Sequence, residues 1–154
     1  MNNDPWQDLT TPSIAGSINA KRVNAEYQWD FFWGRSIDNN CLFVIQHKKT
    51  SSPGGRLPRL QGIEVNESDG PDGSDRVLVF RLIESEHRDI FHQLCLDILV
   101  CASSAETEKG MIQHVLARTW RWHHLLRGGS DQRLSPEEQK GLIGELLLIE
   151  RHLL

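Results

Sequence analysis

Residues 29–45 read WDFFWGRSIDNNCLFVI, and this stretch decides the fold. From Trp29 to Trp33 every second residue is aromatic, which is the period of a β-strand with one buried face. Residues 36–40 are polar except for Ile37 and suit a turn, and apolar residues return over 41–47. The stretch therefore predicts a β-hairpin.

The surrounding sequence adds further strands and then changes to a helical period. Strands are predicted at residues 62–65 and 76–83, and the second is apolar on both faces, as an interior strand is. Residues 10–24 have no clear period. A period of 3.6 predicts helices at about 88–102 and 106–126. The second helix has one predicted core stripe: Ile112, Leu116, Thr119, His123 and Leu126. The fold class is therefore α+β, an antiparallel sheet of about four strands packed with two helices.

The end of the sequence predicts a linker followed by a third helix. Gly128–Asp131 has the composition of a linker. Residues 134–154 then read LSPEEQKGLIGELLLIERHLL, in which Ser135 can cap a helix, Pro136 suits its first position and Glu138 completes a capping box. This closing helix is apolar on most sides, so we expect another surface to cover it.

Composition limits the function classes. The chain has 154 residues and a net charge of −4, so strong nonspecific binding of nucleic acid by the whole surface is not expected. A nucleic-acid site would have to be a local basic patch. It has no run of about 18 apolar residues and no signal peptide pattern, which predicts a cytoplasmic protein without membrane contact. Cys41, Cys95 and Cys101 are odd in number and lack CxxC spacing, so we expect reduced core residues.

Two basic segments are candidate nucleic-acid contacts. One is a Gly/Ser/Pro loop, and the other is the helical stretch RTWRWHHLLR, in which Trp120 or Trp122 can stack on a base. The alternative is that the tryptophans belong to the core and the arginines form a solvated rim. The candidate DNA-contacting residues are Lys48, Lys49, Arg56, Arg59, Arg118 and Arg121.

Glu145 is the candidate catalytic and metal-binding residue. One helical turn away on either side lie Gly141, Leu142, Leu148 and Ile149, none of which is basic. Such a carboxylate is either exposed or placed in a pocket that requires a metal ion or another cation.

These residues carry a resemblance to a known family. The segment GLIGELL, residues 141–147, resembles the opening of the nuclease domain in bacterial PD-(D/E)XK-motif proteins associated with restriction and defence loci. Upstream, WDFFWGRSIDNNCLFVI, LPRLQGIEV and IFHQLCLDIL are similar to the amino-terminal region of that family, in the same order. The resemblance therefore covers nearly the whole chain.

The resemblance implies a role for Glu145 and a domain division. A glutamate on the first core helix often helps to hold the catalytic magnesium in this superfamily, and Glu145 stands at the matching position. The later aspartate and the (D/E)-x-K have no counterpart before Leu154. Residues 1–130 would then be an accessory module and residues 131–154 the first helix of a nuclease-like domain. The full-length protein would be a magnesium-dependent DNA endonuclease, whereas this chain alone would be inactive and would bind no cofactor.

Two short matches to the motif are rejected. Pro71–Asp72 spells its first half and Glu138–Lys140 its second half. The acid and the lysine must stand two apart on a strand to share a metal ion and a water. Glu138 and Lys140 instead fall in the first turn of a predicted helix, where residues two apart diverge.

DNA and other proteins of a defence system are the expected partners. A second hypothesis assigns the chain to a different functional class. In it the chain is a non-catalytic interaction module, and residues 135–154 dock through their apolar surface onto a partner or a second copy of the chain.

Overall fold

A computed structural model of the chain describes residues 4–14, 17–70 and 75–132. Within these residues the elements form an α+β fold, which confirms the predicted class. The strands are β1 Ile18–Arg22, β2 Asp30–Ser36, β3 Cys41–Lys48, β4 Ile63–Asp69 and β5 Asp75–Leu82, and the α-helices are α1 Arg88–Ser103 and α2 Glu108–Gln132.

The strands form one antiparallel sheet in the order β1-β2-β3-β5-β4. The predicted hairpin is β2–β3, and β5 lies in the interior between β3 and β4, as its two apolar faces predict. A row of paired residues crosses four strands through Trp33, Phe43, Phe80 and Val65, all of them buried. Both helices pack against this face, so the core lies between the sheet and the helix pair.

The sheet has a fifth strand, β1, which the sequence pattern did not predict. β1 pairs only with β2, and its five residues are exposed or half-buried. An edge strand held by backbone hydrogen bonds needs no alternation of apolar side chains, so β1 has no period to detect.

Both predicted helices are present, but the predicted linker is wrong. α2 begins at Glu108 and continues through Gly128–Asp131 to Gln132. Glycine in a helix interior costs roughly 1 kcal/mol relative to alanine, which weakens a helix without breaking it. The predicted domain boundary at about residue 130 stays a prediction, and the closing helix at residues 135–154 lies outside the described residues.

A buried charge cluster joins α1 to α2. The Asp97 carboxylate accepts hydrogen bonds from Arg118 Nε at 2.6 Å and from Trp122 Nε1 at 2.6 Å. The second carboxylate oxygen of Asp97 accepts another from Arg118 Nη2 at 3.1 Å. Asp97 and Trp122 are buried, and Arg118 is 3% exposed. A buried carboxylate is stable only when charge and hydrogen bonds compensate it, so this cluster fixes how the two helices meet.

We expect Asp97→Asn to lower the free energy of unfolding by about 3–5 kcal/mol, because it leaves the Arg118 guanidinium buried without its counter-charge. Urea denaturation of the variant and of the wild-type chain measures the difference. Asp89→Asn is the matched control, since Asp89 is an exposed carboxylate in the first turn of the same helix. Equal losses of unfolding free energy in the two variants would contradict the role of Asp97 as a buried link between α1 and α2.

Candidate nucleic-acid interface

The loop between β3 and β4 follows α2 along its length. β3 and β4 run in the same direction with β5 between them, so residues 49–62 must pass from one end of the sheet to the other. At the start the Lys48 backbone N–H donates to Glu108 Oε1 at 2.8 Å. Near the end His123 Nδ1 lies 2.6 Å from the Arg59 carbonyl oxygen, which can only accept, so this nitrogen carries the proton. The two contacts are about 15 residues apart on α2, or about 22 Å at the helical rise.

Four cations at the end of β3 and in this loop are exposed, and we call them the basic ridge: Lys48, Lys49, Arg56 and Arg59. Among the described residues none of them forms an ion pair. Most other arginines among the described residues are paired with carboxylates, as Arg76 is with Glu67 and Arg81 with Asp38. The ridge cations are therefore among those whose charge is left for an external anion.

Apolar residues anchor the loop beneath its cations. Leu60 belongs to the core, and Leu57 packs against it. Gly55 has a φ of 99°, a left-handed conformation that glycine adopts without strain, and the chain turns there just before Arg56. Because the loop is pinned at both ends and between them, the backbone positions that carry its cations are defined.

The two arginines of α2 that the sequence predicts as DNA contacts differ in their exposure to solvent. Arg121 is exposed and stays a candidate phosphate contact. Arg118 is not available to DNA: its side chain is 3% exposed and its guanidinium is paired with Asp97 at 2.6 Å. The assignment of Arg118 to the DNA surface is therefore corrected, because a buried partner on α1 holds the guanidinium inside.

The structure separates the two tryptophans in the same way. Trp122 is fully buried, whereas Trp120 is half-buried and lies outside the core cluster of the described residues. The buried stripe of α2 runs through Met111, Val115, Arg118 and Trp122. It is shifted by one residue from the predicted stripe, of which only Ile112 and Thr119 are buried.

The cysteines are free thiols. Cys41 and Cys95 are buried, and burial raises the pKa of both thiols, so they are protonated and poor nucleophiles at neutral pH. This agrees with their prediction as reduced core residues. Cys101 is only half-buried.

One group of possible metal ligands lies within the described residues. Ligand atoms of Glu84, Glu86 and His87 are within 4.8 Å of one another, and His87 Nε2 lies 3.0 Å from Glu84 Oε2. The group does not fit the magnesium that the family resemblance implies, because magnesium prefers an all-oxygen shell and His87 offers a nitrogen. Glu145 lies outside the residues that the structure describes.

Sequence reasoning missed Asp97, although a signal for it was available. Cys95, Leu96, Ile98 and Leu99 flank Asp97, so it is a carboxylate in an apolar stretch of helix, as Glu145 is predicted to be. A carboxylate in this setting requires a cation or a metal ion. For Asp97 the cation is Arg118, which is supplied from a different helix.

The described residues define a class: an α+β module with a hydrogen-bonded helix pair and an exposed basic loop along one helix. A family model described as "Putative PD-(D/E)XK family member, (DUF4420)" matches residues 2–154. The chain belongs to this family, as the resemblance of its GLIGELL segment predicted. No curated protein and no solved structure matches the chain. No helix within the described residues combines the length and apolarity that a membrane crossing requires.

Proposed function

We propose that this chain is the amino-terminal part of a magnesium-dependent DNA nuclease of a restriction or defence system, and that residues 4–132 position the DNA. The observation that carries the proposal is the basic ridge, four exposed cations on a loop pinned along α2. The match to a PD-(D/E)XK family model supports this reaction class.

The ridge has the dimensions and the charge that a phosphate backbone requires. The two contacts that hold the ridge to α2 are about 22 Å apart along the helix, which corresponds to roughly six base pairs at 3.4 Å per step. The net charge of −4 opposes binding elsewhere on the surface, so affinity depends on concentrating cations locally. Phosphate contacts fix the register and orientation of a protein on DNA without reading its sequence. The module would accordingly hold DNA in place for a catalytic domain.

Glu145 is the proposed metal ligand of that catalytic domain. One carboxylate supplies only part of the oxygen shell of a magnesium ion, and metal-assisted hydrolysis also requires a positioned water. The remaining acid and the (D/E)-x-K lysine would come from strands that the resemblance places after residue 154. DNA cleavage is therefore a property that we assign to the longer protein.

If residues 4–132 position DNA, their affinity for DNA should fall steeply with salt concentration, and the basic ridge should account for this fall. Replacing Lys48, Lys49, Arg56 and Arg59 together by alanine should reduce the slope of log affinity against log salt by about 3 to 4 units on duplex DNA, since each phosphate contact contributes roughly 0.9. Fluorescence anisotropy with a labelled duplex of about 20 base pairs, titrated at several salt concentrations, measures the slope.

Single variants and a control sharpen this test. Each single alanine variant of the ridge should lower the slope by roughly 0.9. Lys21→Ala should leave it unchanged, because Lys21 lies on β1 at the opposite edge of the sheet and 3.9 Å from Asp8. A wild-type chain without affinity for duplex DNA at low salt would rule out the DNA-positioning role.

We also expect that this chain alone does not cleave DNA. Incubation of the 154-residue chain with supercoiled plasmid and magnesium or manganese should leave the plasmid intact, because the metal shell is incomplete. Glu145→Ala is the matched variant. Nicking by the wild-type chain that Glu145→Ala abolishes would show that the active site is complete within these residues.

A further inference from the structure

Four of the five tryptophans are structural. Trp6 and Trp122 are fully buried, Trp33 is 6% exposed and Trp29 packs against the core. Three of their indole N–H groups donate hydrogen bonds, to the Leu42 carbonyl at 2.8 Å, the Ala102 carbonyl at 2.9 Å and Asp97 at 2.6 Å. This is how folded proteins normally accommodate the polar end of a buried tryptophan.

Trp120 differs from the other four. It is half-buried and, unlike them, it is not packed against the core cluster of the described residues. Its ring neighbours are two histidines on the same helix. His123 stands nearly perpendicular to it at 5.3 Å, and His124 is tilted by 29° at 6.1 Å.

The geometry of α2 directs Trp120 away from Asp97 and α1. Arg118 and Trp122 both hydrogen-bond to Asp97, so both face α1 and the interior. At 100° per residue Trp120 is rotated by about 200° from each of them. One turn before Trp120, Ala117 is exposed and has a short side chain that cannot cover a ring.

Two exposed arginines belong to the segments that carry or contact this aromatic cluster. His123 is bonded to the Arg59 carbonyl, which brings the end of the basic ridge to the cluster. Arg121, the next residue after Trp120, is exposed. The core of a protein-binding patch is usually depleted of charge, whereas an aromatic ring flanked by cations is typical of surfaces that bind single-stranded nucleic acid.

We propose that Trp120 is a stacking platform for an unpaired base of single-stranded DNA, whose neighbouring phosphates contact Arg59 and Arg121. This inference rests on the proposed DNA-positioning function and names the form of DNA that the site takes. Stacking uses the ring face that every base has, so the site would bind without sequence preference.

The test compares two DNA probes with three variants of the 154-residue chain. The probes are a labelled oligothymidylate of about 12 nucleotides, within the range of known single-strand sites, and a duplex of about the same length. Trp120→Ala should weaken oligothymidylate binding by about 5- to 150-fold, the usual effect of losing one stacked base. Trp120→Phe should restore most of the affinity because it keeps an aromatic face. Gln113→Ala, an exposed position on the same helix, should have no effect.

The duplex separates failure of this inference from failure of the proposed function. We expect Trp120→Ala to bind the duplex as the wild-type chain does, since paired bases are not available for stacking. The stacking site alone would be overturned if Trp120→Ala weakened binding to both probes equally. It would also be overturned if Trp120→Ala left the affinity for oligothymidylate unchanged while duplex binding still depended on the basic ridge. Absence of binding to either probe would overturn both proposals. Thermal denaturation checks that Trp120→Ala is folded, as expected for a residue outside the core.

Discussion

The buried carboxylate of Asp97 sets the arrangement on which the rest of the molecule depends. It accepts hydrogen bonds from Arg118 and Trp122, which are one turn apart on α2. A helix held at two positions one turn apart cannot rotate about its axis without exposing an unpaired charge to the interior, which is strongly unfavourable. Ordinary apolar packing tolerates exchange of one hydrophobic residue for another, but an ion pair with three hydrogen bonds specifies which residues face inward.

The rotation of α2 connects the interior of the protein to its candidate DNA surface. With Arg118 and Trp122 directed inward, His123 meets the Arg59 carbonyl, and Glu108 meets the Lys48 backbone at the other end of the helix. The parallel relation of β3 and β4 forces their connection to run along the sheet, and α2 provides the side chains that hold it there. The position of the basic ridge therefore follows from strand order and helix rotation together.

The parts of the fold that depend on local pattern were predictable from the sequence, and the parts that depend on distant partners were not. The β2–β3 hairpin and α1 have clear periods, whereas β1 is held by a neighbouring backbone and has none. On α2 the predicted stripe differs by one residue from the buried one because the sequence pattern predicts that Arg118, a charged residue, faces outward. Only the presence of Asp97 on another helix makes that arginine an interior residue. Which of Trp120 and Trp122 is buried depends on the same contact, so the sequence alone could not predict it.

The distribution of charge partners gives the candidate surface its physical basis. Arg76, Arg81 and Arg118 have carboxylates within the fold, and a neutralised cation offers little to a phosphate. The basic ridge has no such carboxylates among the described residues, although the whole chain carries a net charge of −4. Exposed ion pairs contribute little to stability, so leaving these four cations unpaired costs the fold almost nothing. A protein can therefore hold an anion-binding surface on an acidic chain when a buried network, rather than surface charge pairing, fixes the elements that carry it.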